Sequence, residues 1–459
     1  MNFEREFHGP NAGYILELYE RYRENPQSVD EAARRFFKDW SPPDDGMPSA
    51  VRAAPAPDFH KIVGAVNLAQ SIRGYGHLAA QLDPLGEEPT GDPALYPEAH
   101  GITDDDLRNL PASLVGGPIA ATAANAYEAI QTLREVYSSR IGFDNDHIRI
   151  PEEREWLREA AESRRFRVTV DAAFARTLLE RLTQVEAFER FLQDAFPTKY
   201  RFSIEGLDML VPMLDELIDA STQSGLSDIL LGMAHRGRLN IMAHNLKKPY
   251  EQILAEFRDP LEIQEMLNAI GWTMGDVKYH EGSELAIQSQ HPEVLTITMP
   301  PNPSHLELIN PVVMGMARAA GTDVSHGSIA TFDPKRTMQI LIHGDAAFPA
   351  QGVVAETFNL SQVPGYWVGG TVHIIANNRI GFTTLPHDGR STLYASDLAK
   401  GFKVPIIHVN ADDPEACLEV ARIAYAYQQT FEKDILIDLI GYRRYGHNEL
   451  DEPAFTQPV

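Results

Sequence analysis

Residues 339–384 leave few folds open to this chain. A short apolar run, Gln339-Ile340-Leu341-Ile342-His343, has the length of one buried strand, and Gly344-Asp345-Ala346-Ala347 breaks it. Residues 353–363 carry a helical pattern that Pro364-Gly365 stops. A second apolar run, Thr371-Val372-His373-Ile374-Ile375-Ala376, ends in Asn377-Asn378. Strand, helix and strand in this order predict a βαβ unit with parallel strands, and ligands of such units sit at the carboxyl ends of the strands. Asp345 and Asn378 both fall at those ends, so their side chains are expected to converge from neighbouring strands.

The same rhythm extends over residues 201–459. Ile229-Leu230-Leu231, Val294-Leu295-Thr296-Ile297 and apolar runs at 406–409 and 435–440 alternate with helical stretches. That pattern predicts an α/β domain, a mostly parallel sheet covered by helices on both faces. Residues 59–200 are expected to form a helical lead-in, with 127–196 helical throughout and 152–165 a solvated, ion-paired face. Residues 41–58 carry Pro42, Pro43, Pro48, Pro55 and Pro57 among Ala, Asp and Gly, the composition of an extended linker. Residues 1–40 form an amino-terminal arm. Tyr14, Leu18 and Tyr22, then Ala33, Phe36 and Phe37, recur at helical spacing on either side of Asn25-Pro26-Gln27-Ser28. Two short amphipathic helices follow, whose aromatic stripe needs a surface to cover it, either on this protein's body or on a partner.

Composition removes several functions. A net charge of −25 argues against broad nucleic-acid binding, since no basic surplus exists to displace phosphate counterions. A single cysteine, Cys417, excludes an intramolecular disulfide and fits a reducing compartment. No apolar run approaches a membrane span. The opening Met1-Asn2-Phe3-Glu4-Arg5-Glu6 lacks a signal or transit pattern, so the cytoplasm is the expected location.

The Asp345 carboxylate, the Asn378 amide oxygen and a nearby main-chain carbonyl would make an all-oxygen set. Such a set suits Mg²⁺ held jointly with ligand phosphates; otherwise these are a strand-end Asp and a turn Asn-Asn. His235 stands between Gly232 and Gly237, with Arg236 and Arg238 beside it, a cluster that suits an anionic ligand.

Gly344-Asp345-Ala346 followed by Asn377-Asn378 resembles the thiamine diphosphate motif, and Ala346 is the variant of the decarboxylase component of 2-oxoglutarate dehydrogenase. The resemblance to that family extends to Gly232-Met233-Ala234-His235-Arg236-Gly237-Arg238-Leu239-Asn240, Gly275-Asp276-Val277-Lys278-Tyr279-His280 and Asn302-Pro303-Ser304-His305-Leu306-Glu307. It includes Asp412-Asp413-Pro414-Glu415-Ala416 and Tyr442-Arg443-Arg444-Tyr445-Gly446-His447-Asn448-Glu449 as well. The chain departs from the family at Tyr75-Gly76-His77-Leu78, where Arg-Gly-His-Leu is usual. It departs again at 142–147, and at Glu284, where small polar residues are usual.

The resemblance implies a thiamine diphosphate-binding fold and the cofactors thiamine diphosphate and Mg²⁺. Asp345 and Asn378, with the Ile380 carbonyl, would hold the metal; Arg236, Ser304, Leu306, Ala346 and Ala347 would contact the cofactor. His235, His280 and His447 would be catalytic, and His280, Ser304 and His305 would meet the substrate. The implied reaction is decarboxylation of 2-oxoglutarate, with transfer of the succinyl group to a lipoyl group of dihydrolipoyl succinyltransferase, to whose core the arm would attach. A homodimer is implied, as is a pyrimidine-binding domain beyond Val459, without which the chain is expected to be inactive. The alternatives are a non-catalytic assembly module and a decarboxylase of another 2-oxo acid.

Overall fold

The apolar runs become the centre of one eight-stranded sheet. In this computed structural model, which describes residues 12–40, 58–257, 279–288, 294–325, 327, 329–447 and 451–455, the strands are β1 (Ile141–Asp144), β2 (Asp228–Met233), β3 (Ser283–Gln288), β4 (Val294–Met299), β5 (Thr322–Asp323), β6 (Thr331–Phe332), β7 (Thr337–Gly344), β8 (Thr371–Asn377), β9 (Ile406–Asn410) and β10 (Ile435–Ile440). The large sheet runs β1-β9-β10-β8-β7-β2-β4-β3, while β5 and β6 pair separately. Its six inner strands are parallel and its two edge strands antiparallel.

Every residue of β8 and β10 is buried, as both faces of a parallel sheet require, whereas β3 at the edge alternates half-buried and exposed positions. Alternation within β7 sends Ile340 and Ile342 into the main core with the helices Leu210–Ser224 and Pro414–Phe431. Leu341 points to the opposite layer, against Ile309 and Val313 of the helix Ile309–Ala320. The expected α/β architecture is therefore present, with helices on both faces.

Two expectations need correction. Residues 127–196 are not helical throughout: Ile141–Asp144 leaves the helical region and pairs antiparallel with β9. Four residues are too few to show a period against flanking helices. The helix Pro151–Glu162 does not present a wholly solvated face either. Glu153 and Glu162 are buried, the latter paired with Arg73 at 2.6 Å, and Tyr427 donates to Glu153 at 2.8 Å. Glu284 lies on exposed β3.

The chain divides into two units, Met1–Phe59 and His60–Val459. In the first, the helices Ala12–Glu24 and Glu31–Asp39 form; Asp30 caps the second by accepting from the Ala33 amide at 2.8 Å. The aromatic stripe closes partly on itself: the Tyr19 ring meets Phe37 at 5.4 Å and Trp40 at 5.6 Å edge-on, around buried Val29 and Ala33. The expected linker lies, apart from Asp58, outside the described residues.

Candidate active site

The βαβ unit predicted at 339–384 forms, with β7 and β8 as parallel neighbours whose register pairs Ile342 with Ile374 and Gly344 with Ala376. Asp345 and Asn378 thus leave adjacent strand tips on the same side of the sheet and line one cavity. The next strand, β2, delivers His235 and Arg236 to that cavity, and the segment after β10 delivers His447. Chain order reverses between β2 and β7, which makes this crevice the switch point where α/β sheets take ligands. Leu306, Ala346, Ala347 and Ile380 complete the predicted residues in its wall.

Asp345, the Asn378 side chain and the Ile380 carbonyl stand together at these strand tips. The Asn378 amide donates its N–H to the Ile380 carbonyl at 3.0 Å and accepts from Arg236 Nε at 3.1 Å. Turned over, it would present its oxygen beside that carbonyl, as two neighbouring ligands of Mg²⁺ require. Asp345 is buried and, among the described residues, no cationic side chain forms an ion pair with it. Burial pushes its pKa up to about 7, with the more distant Arg390 pulling the other way. A buried carboxylate without an ion-pair partner fits a site for a metal.

The backbone here is shaped for close approach. Arg379, Phe382 and Phe202 all adopt left-handed φ, at 59°, 57° and 46°. A Cβ on Gly381 would stand 2.7 Å from that of Ala346, so only small residues fit at this corner. The helix expected at 353–363 is Gly352–Ser361, but a separate four-residue turn, Ala347–Ala350, precedes it, and this turn rather than the longer helix follows Asp345.

The predicted histidines part company. His235 and His447 face each other edge to face at 6.1 Å, with the Phe202 ring 4.0 Å from His235 and Phe382 at 4.6 Å from His447. Burial, then the Arg236 charge, lowers the His235 pKa to about 3 and that of His447 to about 4, so both are neutral near pH 7. His280 is close enough to His235 to act on it electrostatically but is not in the cavity wall. Ser304 and His305 are exposed on the loop leading to Leu306 and are not brought to the wall. His235 and His447 are thus the predicted histidines that line the cavity, and His343 at the end of β7 lines it as well.

Arg236 reaches the site while donating to the carbonyls of Ser203 at 2.8 Å and His447 at 3.3 Å. Arg238 does not: it is fully buried and donates to the carbonyls of Met233 and Pro300 at 3.0 Å and of Glu281. Phe202 and Arg390 are neighbouring residues that no sequence pattern marked; each lies in a loop without period.

The family described as Dehydrogenase E1 component matches residues 205–459, and that described as 2-oxoglutarate dehydrogenase N-terminus matches residues 7–43. Over 467 aligned residues the chain is 49% identical to the 2-oxoglutarate dehydrogenase E1 component of Bacillus licheniformis, covering 99% of this chain and 49% of the relative. The protein of the same name from Bacillus subtilis is 48% identical over 100% of this chain and 50% of its own length. That from Geobacillus kaustophilus is 46% identical over 99% and 50%. The chain therefore spans about half the length of the curated relatives it matches. The cavity described above lies within the matched region, whose family domain binds thiamine diphosphate. On these grounds the chain belongs to the dehydrogenase E1 component family.

Proposed function

We propose that this chain carries the diphosphate-binding part of a 2-oxoglutarate dehydrogenase E1 component and works in the decarboxylation of 2-oxoglutarate, with the succinyl group passing to a lipoyl group of dihydrolipoyl succinyltransferase. The observation that carries this is the group at the tips of β7 and β8: buried Asp345, the Asn378 side chain and the Ile380 carbonyl in one cavity wall. These three would hold Mg²⁺, which offsets diphosphate charge better than side chains alone. The names and identities of the relatives support the choice of substrate.

Bound thiamine diphosphate supplies the nucleophilic carbon and electron sink for decarboxylating a 2-oxo acid. The protein's residues bind and orient. The Ala346 and Ala347 amides would meet the diphosphate, and Arg236 places a cation beside Asn378. His235 and His447, neutral at pH 7, would offer N–H donors and accept or release protons without adding fixed charge. Leu306 would contact the cofactor, and His280, Ser304 and His305 would meet the substrate once it and the rest of the site close over this cavity. We further propose a homodimer, and attachment to the succinyltransferase core through residues 1–40, for which the family match at 7–43 speaks. The single buried cysteine, Cys417, is compatible with a cytoplasmic location.

Carbon dioxide release tests the assignment. Mixed with thiamine diphosphate, Mg²⁺ and a carboxyl-terminal half taken from the B. subtilis relative, the chain should turn over 2-oxoglutarate and not pyruvate; alone it should be inactive. Turnover of pyruvate only would identify another 2-oxo acid dehydrogenase. Cofactor binding without turnover of either acid in any mixture would leave an assembly module.

A further inference from the structure

The turn 378–380 hangs on Asn377, and behind Asn377 lies a buried row of side chains to which the reaction above gives no part. Asn377 Nδ2 donates to Asp438 Oδ1 at 2.8 Å, and the Arg379 amide donates to Asn377 Oδ1 at 3.0 Å. Asp438 Oδ2 accepts from His408 Nδ1 at 3.0 Å. His408 Nε2 in turn faces Asp144 Oδ2 at 3.5 Å, and Lys400 Nζ lies 2.7 Å from that same oxygen. Asp144, His408, Asp438 and Asn377 are all buried and belong to β1, β9, β10 and β8, four consecutive strands of the sheet. The row therefore crosses from the sheet edge to the end of β8, next to Asn378.

His77, Asp144 and His408 place ligand atoms within 4.8 Å of one another, a metal set by residue type. The Lys400 ammonium already stands at the Asp144 oxygen as its cation, so the cluster reads as an ion-pair network. Its outlet is Asn377. Both side-chain ends of Asn377 are engaged, one by Asp438 and one by the left-handed Arg379, whose guanidinium is anchored by Asp83 at 2.7 Å and by Glu87. The atoms that set the direction of the Asn378 side chain and the Ile380 carbonyl are thus fixed from behind. Hydrogen-bond partners one step behind a metal's ligands govern ligand orientation, and losing one typically weakens metal affinity 10–100-fold.

Building on the metal assignment of Asp345, Asn378 and Ile380, we propose that Asp438 and His408 are positioning residues: they hold Asn377, and through it the metal-binding turn, in the geometry that takes a divalent cation with a diphosphate.

Mn²⁺ bound in the presence of thiamine diphosphate, followed by electron paramagnetic resonance on the full chain, tests this. Asp345→Ala should abolish Mn²⁺ binding, which checks the assignment itself. Asp438→Asn and His408→Ala should raise the Mn²⁺ dissociation constant about 10–100-fold. His408→Asn, whose amide N–H takes the place of Nδ1–H, should restore most of the affinity. A merely structural role would lower unfolding temperatures and leave metal affinity alone; that result overturns the proposal. So does parental affinity in Asp438→Asn and His408→Ala alongside loss in Asp345→Ala. Absence of Mn²⁺ binding by the parent chain would overturn the metal assignment and the proposal with it. Should His408→Ala fail to fold, Asp438→Asn changes no volume and decides alone.

Discussion

Asp345 shows how a site can be kept at a cost to the fold. Its carboxylate is shut from water with no ion pair among the described residues, and burial lifts its pKa to about 7. Asp345→Asn, nearly isosteric, should therefore raise stability of the ligand-free chain at pH 8, by about 1–3 kcal/mol, while removing magnesium-dependent cofactor binding; chemical denaturation and ligand titration check the two halves. His408 behaves in the opposite sense. Burial alone would lower its pKa, but Asp144 and Asp438 outweigh that and raise it to about 9 from 6.5. The protonated form is the folded form's preference, so this stabilisation is complete below pH 6.5 and lost as pH rises through 9. Unfolding free energy should fall across that window by an amount on the order of a few kcal/mol, and His408→Asn should flatten the slope. Asp345 and Asn378 were legible because a polar residue ending an apolar run marks a strand tip. Arg236 and Arg238 were not separable, since a two-residue step around a turn decides which guanidinium meets the cavity and which meets the carbonyls of Met233, Glu281 and Pro300.

Among the strands, the parallel centre was readable because burial on both faces demands continuous apolar runs. The edge strand β1 was not, having four residues and no alternation. Yet β1 brings Asp144 to His408, so a short element unmarked by pattern supplies one end of the row behind the cavity. The loop carrying His447 depends on another contact invisible to periodicity. Gly206, at φ 96°, and Gly441 approach so closely that a Cβ on Gly206 would meet the Tyr442 carbonyl oxygen at 2.1 Å, and one on Gly441 would meet the Gly206 oxygen at 2.0 Å. Since the obstacle is backbone, nothing can swing aside. Gly206→Ala should destabilise the chain by about 2–4 kcal/mol and, by moving the 442–447 segment, weaken cofactor binding; thermal unfolding and titration read both.

The molecule as a whole is two units of unlike purpose. Met1–Phe59 holds its own small aromatic cluster, and His60–Val459 holds the sheet and cavity. No helix among the described residues is long and apolar enough to cross a membrane. A chain beginning at Asp58 should keep its cofactor affinity within about twofold, since the cavity wall draws only on residues 234–447. It should lose association with the succinyltransferase core, measured by sedimentation. The arm's helices were legible from spacing. How its stripe is covered was not, because Tyr19, Phe37 and Trp40 meet only after the turn at 25–28 folds the two helices together. The proposed function rests on two strand tips holding a metal that grips a diphosphate. Calorimetric titration of the full chain with thiamine diphosphate, with and without Mg²⁺, tests it most directly. One site per chain that requires Mg²⁺ and disappears in Asn378→Ala is the predicted result; binding that ignores Mg²⁺, or survives that substitution undiminished, would contradict it.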